Sequence, residues 1–474
     1  MRSPRARRER AQLDLGAGPR GWTRDLRIGG AILESLLLAG WVPLSPVADA
    51  WRWMAVLVAG GVAHLTISTR ALRSGEPFGA REMKLAFAIA ALLRLTLLPI
   101  RPSLSEDAYR HVWDGRVQTA GFDPYLYAPA DPALERLRDG EVWPRINHPE
   151  LRTVYPPSAQ ALSLASSRVD GLLSPIGLSP IAAWKGTLLL VELAGAGLLA
   201  WGLLRAGRGA AFLIYAWSPL AVVEFYASGH VDAAGVGLLA GAVGLFLLGR
   251  PAIAGALFSA ALLAKWIPAA FLGAGVRLRG KKRLLAGGTL AAALLWTPYV
   301  HPGSAPFESL GSYQANWESG GVLHRILRVD AWGALPRHLV EWDWRHLGTA
   351  GTPREKFWGR TAAAALVVVA TGWAVLRGVP ATAAAAVGLF AFLLVRPTVH
   401  PWYATWLLPL LALSFWRSIL LWTALVPLGY EVLLRHRIEG LWRPNPWVNA
   451  AVLAVVLVAF TRELRRRPIR VPGA

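Results

Sequence analysis

Long apolar blocks separated by short basic connections dominate this chain. Residues 181–203, 209–227, 233–249, 359–376, 380–395 and 447–460 carry few or no charges over most of their length. Helices on the surface of a water-soluble protein keep one polar face, and these blocks have none. Runs of roughly 20 apolar residues match the hydrocarbon core of a bilayer. The pattern predicts an all-α polytopic membrane protein with about twelve transmembrane helices, plus re-entrant segments too short to span.

The basic residues order these blocks. Cytoplasmic connections carry the excess of Lys and Arg. With the N-terminus inside, spans at 28–45 and 51–69 bring the chain back to Arg70, Arg73, Arg81 and Lys84. A third span leaves residues 101–157 outside. Spans 181–203 and 233–249 both end inside, at Arg205 and Arg208 and at Arg250. Residues 251–275 are apolar yet lead to Arg277, Arg279, Lys281, Lys282 and Arg283, which belong inside. A re-entrant hairpin broken near Lys265-Trp266-Ile267-Pro268 satisfies both demands. Irregular backbone at that depth is tolerated where it lines a cavity.

The division expected is therefore a basic cytoplasmic segment over 1–27, three crossings within 28–100 and an extracytoplasmic loop over 101–157. A membrane core comes next over 158–300, then a second outer loop over 301–357, C-terminal crossings over 358–461 and a basic cytoplasmic tail over 462–474. Val47-Ala48-Asp49-Ala50 has the look of a signal-peptidase site, but the spans after it would retain the chain.

Composition supports this reading. The chain is 54% hydrophobic and 17% charged, where soluble domains carry about a quarter charged residues. The net charge of +21 could suggest nucleic acid, but arginines clustered at both ends fit membrane topology, so no nucleic-acid partner is expected. With no cysteine, disulfides and thiolate metal sites are excluded. The 23 tryptophans suit interfacial belts.

The loop after residue 100 is too long and too aromatic for a connector. Ser105 can cap a helix over about 106–120, which would place Asp107, Arg110 and Asp114 on one face. Gly121 ends it, Asp123-Pro124 turns, and a second short amphipathic helix is expected over 132–139. The plain alternative is a solvated loop with local ion pairs. The functional reading is an acidic site at the bilayer surface, with Glu106 and Asp107 walled by Trp113 and Tyr155. Asp114 can equally be a partner for Arg110. On the same side lie Ser228-Gly229-His230-Val231-Asp232 and His400-Pro401-Trp402-Tyr403. Lys265 comes after more than a dozen apolar residues and needs a carboxylate or a phosphate, since a lysine at depth costs roughly 2.5–3.5 kcal/mol on insertion scales.

Taken in order, Ser105-x-Asp107-x-Tyr109-Arg110-x-x-Trp113-Asp114-Gly115, Gly121-x-x-Pro124-Tyr125, Trp143-Pro144, Asn147-His148 and Tyr155-Pro156-Pro157-x-x-Gln160 resemble the first outer loop of type C (GT-C) glycosyltransferases. Among these the chain resembles the bacterial polytopic mannosyltransferase-like proteins, including glycosyltransferase family 87. Trp217-x-Pro219, Glu224, Gly229-His230-x-Asp232, Lys265-x-x-Pro268 and His400-Pro401-Trp402-Tyr403 extend the resemblance over about 101–410.

The resemblance implies a GT-C fold and a polyprenyl-phosphate sugar donor, with mannose the favoured sugar, used on the outer face. The acceptor would be a glycolipid, a glycan or a protein, and the bilayer itself is a partner. It implies Asp107 as the essential acid, with Glu106 beside it. Many relatives carry a different acidic pair and a tyrosine where His111 stands.

On this basis Asp107 is the expected base and the outcome is inversion. Lys265, Arg110, His230 and His400 are expected at the donor phosphate. Trp113, Asp114, Tyr155, Asp232, Trp402 and Tyr403 are expected at the sugar or lipid. No cofactor is expected and no Asp-x-Asp motif stands out, although a divalent metal is compatible with the sequence. The rival readings are a multi-span transporter or lipid-linked-sugar flippase, whose ionisable groups would line a path, and a non-catalytic scaffold.

Overall fold

The computed structural model describes residues 20–278, 280–303, 306–309, 323, 354–376, 379–396, 398–440, 442 and 444–466. Most of the second outer loop expected over 301–357, and parts of both terminal segments, lie outside the described residues. Among the described residues the chain is helical and forms no β-strand apart from an isolated bridge.

In chain order the first helices are α1 (Arg20–Leu38), α2 (Pro46–Arg73), α3 (Ala80–Leu97), α4 (Asp107–Thr119), α5 (Pro157–Leu173) and α6 (Pro180–Arg205). Next is a broken stretch, made of α7 (Phe212–Ala216), α8 (Pro219–Val222) and a π-helical turn (Val223–Ala227). Then come α9 (Asp232–Leu247), α10 (Pro251–Leu262) and α11 (Lys281–Trp296). The C-terminal part holds α12 (Arg354–Leu376), α13 (Ala381–Val395), α14 (Leu408–Leu411), α15 (Arg417–Leu425), α16 (Glu431–Glu439) and α17 (Pro446–Arg465).

Several helices start by the same local device. Ser45, Ser179 and Asn445 each cap a backbone N–H of the first turn, and each is followed by a proline. The side-chain oxygen satisfies an orphan donor, and proline's fixed φ suits the first helical position.

Among the described residues four helices are long and apolar enough to span by themselves: Pro46–Arg73, Pro180–Arg205, Arg417–Glu439 and Trp447–Arg465. Gly209–Ala216 and Pro219–Ala227 make a fifth if their 46° bend is one broken span. Shorter apolar helices cover Asp232–Leu247, Pro251–Leu262, Arg360–Leu376 and Ala381–Val395. Among the described residues, helix length alone does not reach the expected twelve crossings. Prolines divide the apolar runs, as Pro219 and Pro251 do at the first positions of α8 and α10. The first described helix already covers Arg20, inside the segment expected to be a basic cytoplasmic N-terminal stretch. Residues 263–266 break the chain after α10, and it continues as a 3₁₀ helix over Ile267–Arg277, where the hairpin was expected.

Two features hold the core behind the site. Glycines let α6 and α9 touch backbone to backbone. A Cβ on Gly202 would lie 2.6 Å from the carbonyl oxygen of Gly244, and one on Gly195 would overlap the carbonyl of Gly237. Small residues at such spacing are how membrane helices approach closely. Replacing Gly195 by Val should force the pair apart and cost about 1–3 kcal/mol. A lower melting temperature in detergent is expected, and an unchanged one would show that the contact yields freely.

The second feature is a polar staple. The Arg94 guanidinium forks onto Glu192 through Nε and Nη2, both at 2.7 Å, and both side chains are fully buried. Arg94 Nη1 also donates to the carbonyls of Ala90 and Ala216. The hydroxyls of Tyr215 and Tyr226 donate to the same carboxylate. This ties α3 to α6 and to the broken stretch.

Candidate active site

Helix α4 carries the acidic pair. It starts at Asp107, whose backbone N–H donates to Ser105 Oγ at 3.2 Å. Gly121 adopts a positive φ of 85° just past its end, and Asp123 Oδ1 accepts from the N–H of Tyr125 in the turn that comes next. The short helix expected over 132–139 is a 3₁₀ segment, Pro132–Leu137. Against α5, a Cβ on Gly115 would overlap the carbonyl of Ser163, so α4 lies flat on its neighbour.

The loop before α9 brings a second group to the first. Gly229 has φ of 77°, and a Cβ there would meet the Cβ of Ala108 at 3.1 Å. Its carbonyl accepts from Trp184 Nε1 at 2.7 Å. Glycine therefore permits both the turn and its close approach to α4, which sets His230 beside Asp107.

Asp107 Oδ2 lies 3.6 Å from His230 Nδ1 and 3.4 Å from the Tyr155 hydroxyl, which donates to it. The Asp107 side chain is 31% exposed, while that of His230 is 1%. Burial works to raise the Asp107 carboxyl, but His230 and then Lys265 outweigh it and hold the group well below the usual carboxylate range. Glu106 moves the other way: burial raises it, against the lowering field of Arg145. Of the two acids, Asp107 is the one whose ionised form is favoured over that of a free carboxyl.

Glu106, Asp107, Arg110, Tyr155, Lys265, His400, Trp402 and Tyr403 all line one cavity of about 920 Å³. Residues from three distant parts of the sequence thus share one space. His230 stands behind the wall, its ring 4.0 Å from Trp402, which in turn stacks on His400 at 4.3 Å. Burial pushes His400 down to about 3 against the raising field of Asp107, so it is a neutral hydrogen-bonding group at neutral pH.

Other expected residues take different places. Lys265 Nζ is 2.6 Å from Asp232 Oδ2, and Asp232 Oδ1 accepts from Trp406 Nε1 at 2.6 Å. The lysine has the carboxylate that its depth demanded, and Asp232 is buried as its counter-ion rather than set at the cavity. Asp114 is held between Arg110 Nε at 2.9 Å and Gln160 Nε2 at 2.9 Å. Trp113 is fully buried and packs on Trp143 at 5.3 Å, away from the cavity, because its face of α4 turns into the loop's own core.

Among the described residues no group of three or more His, Asp or Glu side chains is placed to hold a metal ion.

The family model described as alpha-(1->6)-mannopyranosyltransferase, N-terminal domain, matches residues 27–279, just over half of the chain. The chain belongs to this family. A search of the curated proteins finds no match. Among solved structures the chain is similar to the Archaeoglobus fulgidus oligosaccharyltransferase tethered to an acceptor peptide containing the NVT sequon. The identity is 13% and the TM-score 0.37, over 81% of this chain and 54% of that one. The chain thus spans about half the length of that structure.

In this member of the alpha-(1->6)-mannopyranosyltransferase family the matched segment includes Glu106, Asp107, Arg110, His230 and Lys265. The rest of the wall comes from beyond it, and sequence reasoning missed part of that contribution. Arg396 lines the cavity with its guanidinium 4.8 Å from the Tyr403 ring, and it forms no ion pair among the described residues. Arg437 also lines it, donating to the carbonyls of Pro46 and Ser103. In sequence Arg396 reads as the positive end of a span and Arg437 as a helix-end charge.

Two buried groups were also missed. His111 stacks on Trp184 at 4.7 Å and lies against Tyr155 at 4.1 Å, and burial lowers it to about 4. Glu224, noted only as part of the resemblance, lies behind His230.

Proposed function

We propose that the chain transfers a mannosyl residue from a polyprenyl-phosphate donor to a hydroxyl of a glycan, glycolipid or protein acceptor, on the extracytoplasmic face and with inversion. The observation that supports it most is Asp107, an ionised and partly exposed carboxylate on the wall of a cavity rich in cations. Family membership supplies the sugar and the reaction class.

The acceptor hydroxyl attacks the anomeric carbon while Asp107 takes its proton. The bond from that carbon to the phosphate oxygen breaks, and its electron pair leaves with the phosphate. Since the leaving group is already an anion of low basicity, it needs cations rather than an acid. Lys265 and Arg110 are paired with Asp232 and Asp114, so Arg396, which forms no ion pair among the described residues, is the better phosphate ligand. Tyr155, the less buried aromatic residue beside Asp107, provides an aromatic surface for a sugar ring.

The test is an assay of membranes containing the chain with a panel of polyprenyl-phosphate sugars. Transfer from the mannose carrier, absent without the chain, is the expected result. Transfer from another sugar only, or from none, would remove the proposal.

A further inference from the structure

Behind Asp107 runs a line of polar groups that the transfer step does not yet use. His230 Nδ1 faces Asp107 Oδ2 at 3.6 Å, and its other nitrogen, Nε2, faces Glu224 Oε2 at 3.5 Å. Glu224 is fully buried, and its Oε1 accepts from the Tyr430 hydroxyl at 2.7 Å. The backbone is arranged for this contact. Glu224 sits on the π-helical turn, and the N–H of His230 donates to its carbonyl at 3.2 Å. Single π turns inside α-helices recur at functional sites. The Trp402 ring fixes the imidazole from the side.

A carboxylate, an imidazole and a second carboxylate in line form the arrangement in which one end orients a histidine so that its other nitrogen can take a proton. The geometry points to Glu224 as a positioning residue for the transfer reaction. It faces His230 Nε2 from behind at 3.5 Å while Nδ1 faces Asp107, so that the proton taken by Asp107 is shared with His230. This rests on the reading of Asp107 as the base.

The balance is simple. The acceptor O–H bond breaks as its oxygen bonds to the anomeric carbon, and the departing phosphate keeps the electrons of the bond it loses. The proton passes from the acceptor oxygen to Asp107 Oδ2 and then to His230 Nδ1. The imidazolium so formed lies between two carboxylates. Asp107 is ionised again before the product leaves, and the proton returns to water through its exposed edge.

The groups around His230 come from several elements. From α4 come Asp107 and His111, and from the break after α10 comes Lys265 with its partner Asp232. His400 stacks on the Trp402 that covers the ring, and Glu224 with Tyr430 closes the far side. With the Glu224 carboxyl replaced by an amide, the line behind Asp107 loses its far acidic group, and the acid limb of kcat should move to lower pH.

The experiment compares Glu224→Gln with the unaltered chain and with Asp107→Asn. It measures kcat and KM for the mannose carrier, kcat against pH, and binding of polyprenyl phosphate. The amide keeps the shape and still accepts from Tyr430. Expected for Glu224→Gln is a kcat lower by about 100-fold, near-normal KM and polyprenyl-phosphate binding, and an acid limb displaced to lower pH. An unchanged kcat overturns the role, as does an acid limb that stays in place. Lost polyprenyl-phosphate binding also overturns it, because the residue would then be structural. Should Asp107→Asn itself turn over normally, the failure belongs to the base assignment, and the two results are read separately.

Discussion

Asp107→Asn should lower transfer by about 10²–10⁴-fold, the usual share of a positioned base. The change keeps the side-chain shape, and the amide oxygen can still accept from the Tyr155 hydroxyl, which now donates at 3.4 Å. Since the carboxylate sits at the cavity edge rather than in the core, its loss should leave the melting temperature near that of the unaltered chain. Donor KM should also hold, because the phosphate's proposed partners are untouched. Initial rates with a polyprenyl-phosphate mannose donor give the answer. Near-normal turnover would remove Asp107 as base and return attention to Glu106, which shares the cavity wall.

The other large effect is on stability. Glu192→Ala strips a fully buried guanidinium of both its charged contacts and takes an acceptor from two tyrosine hydroxyls. Breaking a buried pair from one side costs about 3–5 kcal/mol, because the remaining charge is stranded. Poor recovery from membranes and a sharply lower melting temperature are expected. The double change Arg94→Met with Glu192→Leu should regain much of that loss, since replacing both partners by apolar groups leaves no stranded charge. If the single variant melts with the unaltered chain, the staple does not hold α3 to α6.

The sequence carried the helical, membrane-type architecture plainly, because apolar runs and basic connections are one-dimensional signals. Asp107 stood out through the resemblance, and Lys265, His400 and Tyr403 as polar groups next to apolar stretches; all four line one cavity. The sequence did not carry the partners. Whether Lys265 faces a phosphate or Asp232 depends on how α9 meets the break after α10, and spacing says nothing of that. Trp113 and Tyr155 looked alike as aromatic walls, yet α4 turns one into its own core and the other stands at the cavity. Tyr430 and Glu224 are 206 positions apart, beyond any local period. Among the described residues, prolines cut apolar runs into shorter helices, a feature that hydropathy averages over.

The π turn at Val223–Ala227 has a consequence for how related chains can be read. Such a turn holds one residue more than a regular helical turn. A chain shorter by one residue here would close an ordinary turn and rotate the downstream segment by about 100°. Glu224 and His230 could no longer face each other, whatever side chains occupied those positions. A single-residue gap in this stretch is therefore a marker, visible in bare sequences, that separates chains able to build the line behind Asp107 from chains that must handle the proton another way.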